Sequence, residues 1–258
     1  MAEKEVISVS GKGGVGKTTV AALLLKLLLK DPDSSILVVD ADPSTNLPDV
    51  LGVKVERTVG MVVDELRKKI SNGGLSPTIS KEDLLEAWIY EVLVETPKFD
   101  LLAMGRSEGE GCYCMVNHML TKILDAISKN YDVTLMDMEA GLEHLSRRTD
   151  RDVDIMLVIA DPTKMGLRTA LRIKELAKEV HISFKEMFLV GNKVPRELEG
   201  PFSKEAESLG LKLAGTIPPD QNVLNYSLLG KSLLNLPEDT PALKAMKKIL
   251  AKLNLAPS

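Results

Sequence analysis

The 258-residue chain is 44% hydrophobic and 27% charged, which supports a soluble globular protein with a core large enough to fold unaided. A net charge of −4 and only 3% aromatic residues argue against nucleic acid as a partner, since both a basic footprint and stacking platforms are missing. Two cysteines cannot build a disulfide framework, and no apolar run is long enough to span a bilayer. Met1 leads through charged residues to Val6 without a secretory apolar stretch, so the expectation is a cytoplasmic protein with reduced thiols and no membrane attachment.

Short β-branched runs then alternate with helical patterns. Strands are predicted at residues 6–10, 36–40, 99–104, 133–137, 155–160, 187–190 and 211–216. Helices are predicted at 17–30, 59–70, 81–94, 115–129, 164–180 and 204–209. Several strands are continuously apolar, as strands covered on both faces must be. The repeated β-then-α order predicts an α/β fold: a doubly wound, mostly parallel sheet flanked by helices. Ser71 to Pro77 reads as a surface loop inside one domain covering 1–258, not as a linker. Ligands in such sheets bind at the carboxyl ends of the strands.

The first strand runs into Gly11-Lys12-Gly13-Gly14-Val15-Gly16-Lys17-Thr18-Thr19, which opens the first helix. This is a phosphate-binding loop in the strand–loop–helix context that the motif requires. Glycines let successive N–H groups turn inward, and the helix N-terminus adds partial positive charge. Lys17 is expected to reach the β- and γ-phosphates of ATP, and the Thr18 hydroxyl to ligate Mg²⁺. The second strand ends in Asp40-Ala41-Asp42-Pro43. Two carboxylates there suit a held metal or an oriented water, or else a helix cap and a turn. Further on, Leu135-Met136-Asp137 is an apolar strand ending in an acid, with Gly141 four residues later. That arrangement places Asp137 near Mg²⁺ and offers the Gly141 N–H to a γ-phosphate. Glu139 between them has no assigned role. After a later strand, the Asn192 amide offers a donor and an acceptor that match the edge of adenine, with Lys193 beside it. A turn residue is the alternative there. Ile217-Pro218-Pro219-Asp220 forms the expected opposite wall of the base pocket.

Both cysteines, Cys112 and Cys114, lie two apart in a glycine-rich loop. Two thiolates cannot complete a four-ligand site, but a two-fold axis would supply the other pair. Such a shared site suits Zn²⁺ if tetrahedral and Ni²⁺ if square-planar; a redox pair and inert structural thiols are the alternatives. His118 is a weaker candidate ligand on the next helix. Met104, Met115, Met119, Met136 and Met138 have the spacing of core-filling residues.

With Lys12 ahead of the usual lysine, residues 11–19 resemble the deviant Walker A ATPases, the family of MinD, ParA, the nitrogenase iron protein and the arsenite ATPase. The resemblance implies a nucleotide-sandwich homodimer in which Lys12 touches the partner's nucleotide; a solvated surface lysine is the plain alternative. It also implies that Asp42 positions the attacking water, that Asp40 lies on or near the Mg²⁺ shell, and that Asn192 contacts the base. Gly-Cys-Tyr-Cys at 111–114, Asp-Met-Glu-Ala-Gly-Leu-Glu-His at 137–144 and Asp-Pro-Thr-Lys-Met-Gly-Leu at 161–167 narrow the likeness. Together they resemble the CooC-type nickel-insertion ATPases that mature carbon monoxide dehydrogenase. That resemblance implies an ATP-hydrolysing metallochaperone, with metal at the cysteine pair and a client metalloenzyme as partner. Three rivals have other signatures. A MinD-like organiser would tether residues 241–255 to a membrane, an iron-protein-like reductase would hold a cluster on separated cysteines, and a cluster carrier would show C-x-x-C.

Overall fold

The computed structural model describes residues 4–71, 81–107, 114–139, 153–179 and 184–255. In chain order the elements are β1 (Glu5–Gly11), α1 (Lys17–Leu28), β2 (Ile36–Ala41), α2 (Leu47–Leu51), α3 (Val59–Ser71), α4 (Lys81–Val92), β3 (Leu93–Glu95) and β4 (Asp100–Ala103). There follow α5 (Cys114–Ile127), β5 (Val133–Met138), β6 (Val153–Ala160), α6 (Lys164–Glu179), β7 (Phe184–Asn192), α7 (Glu199–Ser208), β8 (Leu213–Ile217), α8 (Gln221–Leu228) and α9 (Pro241–Lys252).

Eight strands form one sheet in the order β3-β4-β2-β5-β1-β6-β7-β8. Every pairing is parallel except β3 with β4. Neighbouring residues of a strand face opposite layers, so both must be apolar. Val38 belongs to the layer under α1 and α9, whereas Leu37 and Val39 belong to the layer under α3, α5 and α6. This is the doubly wound α/β sheet that the continuous apolar runs predict. The chain winds outward to β4, returns to β5, then steps across β1 to β6. The order of winding therefore reverses beside β1, and the crevice above its carboxyl end is the ligand position of such sheets.

Element bounds differ where pattern was weak. Leu93 and Val94 leave the predicted helix and, with Glu95, form an antiparallel edge strand, because Leu102, Leu101 and Asp100 offer pairing partners. β7 begins earlier than its apolar core, since Phe184 pairs with Val153 although Lys185 and Glu186 are polar. The start of α7 was hidden by Gly200 and Pro201, a proline that the first helical turn tolerates. The loop read from Ser71 to Pro77 lies, from residue 72 on, outside the described residues.

Residues 241–255 are built into this core. Leu243, Met246, Ile249 and Leu250 are buried, and each contributes about 1.5–3 kcal/mol relative to exposure. Gly215 makes the close approach possible: a Cβ there would lie 2.8 Å from Ile249 Cγ1. The apolar face that a membrane tether would need is thus committed to β8. No helix among the described residues is long and apolar enough to cross a membrane.

Candidate functional site

The loop after β1 is shaped by what its glycines allow. Gly11 sits at φ +148°, and a side chain there would collide with the Ile159 carbonyl of β6. Gly16 sits at φ +89° and occupies the N-cap of α1, a left-handed position that favours glycine. It supplies no side-chain cap, and the first turn of α1 carries no acid. The first N–H groups of the helix and their partial positive charge therefore remain open to an anion. Lys17 is 9% exposed, an unusual burial for an ammonium, whereas Lys12, Gly13 and Gly14 are exposed. Lys12 makes no hydrogen bond or ion pair with a described residue.

The parallel pairing of β2 with β5 sets Asp40 beside Asp137, and Asp137 is also in register with Val9 of β1. Both acids are buried. Asp40 Oδ1 accepts from the Asp42 N–H at 3.1 Å and Oδ2 from the Leu47 N–H at 2.9 Å. Burial pushes its carboxyl up to about 7, against those two bonds and with help from Asp137 and Asp42. Asp40 thereby organises the loop to α2, the turn-and-cap use weighed for this pair. Half-buried Asp42 lies within that loop, and its Oδ1 accepts the Ser44 N–H at 2.8 Å.

Asp137 is pushed up to about 6, chiefly by burial, while a hydrogen bond from Thr18 and the nearby Lys17 charge act the other way. Its Oδ1 has no hydrogen-bond partner among the described residues. An unpaired buried carboxylate oxygen is costly and calls for a cation or a donor. Thr18 and Asp137 fit a magnesium ion on this ground, because Mg²⁺ takes one or two protein oxygens and completes its shell with water and phosphate. Among the described residues there is no cluster of three or more His, Cys, Asp or Glu able to hold a metal by itself.

A cleft of about 650 Å³ opens beside the loop, lined by Thr19, Asn192, Lys193, Pro218, Pro219 and Leu224 among others. Asn192 is 4% exposed. Its Nδ2 donates to the Val15 carbonyl at 2.7 Å, and its Oδ1 accepts the Lys193 N–H at 3.0 Å. Asp220 caps α8 by accepting the Asn222 N–H at 2.8 Å and ties down α9 by accepting the Ala242 N–H at 2.8 Å. Sequence reasoning reached Asn192, Lys193 and Pro218 but missed the α8 wall, Val223, Leu224 and Ser227. The Asp220 cap signal was the available clue.

A phosphate-type loop, paired acids and a lateral cleft thus meet at the carboxyl end of a mostly parallel sheet, and residues 6–233 match the CobQ/CobB/MinD/ParA nucleotide binding domain. The chain belongs to this nucleotide-binding family. An uncharacterized ATP-binding protein of Methanocaldococcus jannaschii is 49% identical over 248 residues, covering 96% of this chain and 98% of its own. The carbon monoxide dehydrogenase accessory protein CooC of Rhodospirillum rubrum is 30% identical over 239 residues, covering 89% of each chain. In fold, the septum site-determining protein MinD of Pyrococcus horikoshii, a complex with Mg-ADP, superposes with a TM-score of 0.70. That match has 21% identity and covers 98% of this chain and 96% of that one.

Other expected residues of this family member are distributed as follows. Gly141 and Cys112 lie outside the described residues; Cys114 opens α5, with its side chain outside them. His118 is exposed on α5, and Glu139 is exposed just past β5. Met104, Met119, Met136 and Met138 are buried in the core, and the side chain of Met115 is outside the described residues. Thr163 of the 161–167 motif accepts the Gly166 N–H at 3.0 Å and caps α6.

The two raised carboxyls carry a pH prediction for the nucleotide- and metal-free protein. An unfolded aspartate titrates near about 3.9, whereas Asp40 and Asp137 hold protons to about 7 and about 6. The folded state binds more protons across that window, so stability falls as pH rises from about 4 to 7 and is flat above. A loss on the order of a few kcal/mol corresponds to a Tm lowered by roughly 5–10 °C. Thermal melts in chelator between pH 4.5 and 7.5 check this, with Asp40→Asn expected to flatten the slope. A Tm that rises through the window contradicts it.

Proposed function

We propose that the whole chain, residues 1–258, is one ATP-hydrolysing unit that dimerises with nucleotide and serves as a metallochaperone, assisting nickel insertion into a carbon monoxide dehydrogenase. The observation that carries the ATPase reading is the juxtaposition of an uncapped α1 N-terminus, the buried Lys17 and the unpaired Asp137 oxygen. Loop N–H groups from Gly11 to Thr19 and the Lys17 ammonium bind the triphosphate and neutralise its charge. Thr18 and Asp137 would hold the magnesium ion, which would supply further neutralisation of phosphate charge. Asp40 fixes the loop that carries Asp42. Asp42 orients the attacking water, and the Gly141 N–H contacts the γ-phosphate. Lys12 reaches across the dimer to the partner's nucleotide, where its charge offsets the charge developing on the departing ADP.

The ATP-binding relative supports adenine as the base of the bound nucleotide. The client and cargo rest on the 30% identity to CooC and on the Cys112–Cys114 pair. Nickel or zinc is the substrate ion of that pair, two thiolates coming from each subunit.

Asp42→Asn tests the hydrolytic step. The variant is expected to bind ATP, lose most of its turnover and accumulate as an ATP-bound dimer, since the phosphate contacts persist while the water-orienting carboxylate is gone. Phosphate release and light scattering measure the two effects. Rapid hydrolysis by Asp42→Asn would move the role to Asp40 or Glu139.

A further inference from the structure

We infer that Asn192 is a positioning residue for the phosphate loop, holding the Val15–Gly16 peptide in its phosphate-binding orientation whether or not a base occupies the cleft. The inference deepens the nucleotide-binding reading and rests on it. The Asn192 side chain spans two distant parts of the chain. It is buried, its Nδ2 donates to the Val15 carbonyl at 2.7 Å, and its Oδ1 is fixed by the Lys193 N–H at 3.0 Å. Lys193 has φ +56°, so the residue that aims this amide is itself held in an unusual conformation. Contact with the loop is close: a Cβ on Gly16 would lie 2.5 Å from Asn192 Nδ2.

The peptide between Val15 and Gly16 is planar and trans, so its carbonyl and its N–H point in opposite directions. Tying the Val15 oxygen to Asn192 therefore turns the Gly16 N–H to the other side of the loop. That N–H has no acceptor among the described residues. It is a free donor at the N-cap of α1, the position at which an anion is bound. Without the brace, the loop would rotate this peptide to find another partner for the buried carbonyl, and the donor would be lost from the cradle. A reader of adenine needs none of this, and an amide committed on both sides is less free to contact a base.

Ligands with and without a base separate the two roles. Binding of Mg²⁺-bound inorganic triphosphate, Mg²⁺-ATP and AMP is measured by calorimetry for the unmodified protein, Asn192→Ala and Asn192→Asp, each checked by its thermal melt. If the loop spends only about a tenth of its time in the competent orientation, apparent affinity falls roughly tenfold. Asn192→Ala is expected to weaken triphosphate and ATP by that common factor and AMP by much less. Asn192→Asp keeps the shape but turns a second acceptor toward the Val15 oxygen, so it is expected to lose at least as much triphosphate affinity. Unchanged triphosphate binding in both variants, with ATP and AMP weakened together, overturns the inference and leaves Asn192 as a base contact. Equal loss of all three ligands with a collapsed melt for both variants also overturns it, in favour of a general structural role. Failure of the unmodified protein to bind either triphosphate or ATP removes the nucleotide reading itself, and the inference with it.

Discussion

Lys12→Ala is expected to lower ATP turnover by about a thousandfold while changing ATP affinity only a few-fold. The reason lies in how differently the two loop lysines are placed. Lys17 is buried and close enough to Asp137 to affect its charge, which places it to serve its own subunit's proposed phosphate site. Lys12 is exposed and without a partner among the described residues, leaving its ammonium available to a second subunit. A cation delivered in trans to phosphoryl transfer can be worth roughly 10³–10⁵ in rate. Nucleotide binding survives its removal because Lys17 and the loop N–H groups remain. Dimerisation with a non-hydrolysable ATP analogue is expected to fall along with turnover, since both use the same contact. Steady-state phosphate release and light scattering on the variant decide the matter. Near-normal turnover would leave Lys12 as a solvated surface charge.

Cys112→Ser and Cys114→Ser are each expected to abolish metal-driven dimerisation and to leave ATP binding intact. One subunit has two thiols in all, half of what a tetrahedral or square-planar ion requires. If the site is shared, occupancy and assembly are linked, and nickel or zinc raises the dimer fraction without nucleotide. Linkage also works in reverse: ATP must change metal affinity by the factor by which metal changes ATP affinity. Release to a client needs such a difference, because an ion held equally tightly in every nucleotide state stays put. A metal titration followed by mass, repeated with ADP and a non-hydrolysable ATP analogue, is expected to reach one ion per dimer. One ion per monomer with no effect on assembly contradicts the shared site and the delivery mechanism built on it.

Much of the architecture is legible along the chain because its causes are local. Strands covered on both faces must be continuously apolar, and Ile36 to Val39 or Ile155 to Ala160 carry that mark without any knowledge of partners. The phosphate loop is equally local. Its glycines, its two lysines and its two threonines fall within nine consecutive residues, so the motif stands out without knowledge of any distant contact. The short α2, the edge strand β3 and the cleft-lining α8 were not legible, since five, three and eight residues are too few to carry a clear periodicity.

By itself, then, the sequence determined the alternation of strands and helices, the position of the phosphate loop and the acids that end β2 and β5. Tertiary structure alone decided how those groups divide the work. The β2–β5 register brings Asp40 and Asp137 together and raises both carboxyls, an effect of burial that no spacing records. Both Asp40 oxygens go to its own loop, while one Asp137 oxygen finds no partner among the described residues. Asn192 reads as a base contact from its neighbours in sequence, yet its amide donates to Val15, 177 residues away. The physical reason is common to the acid pair and to Asn192. A side chain's partners are set by which strand ends the sheet places side by side, and that order is a property of the whole fold.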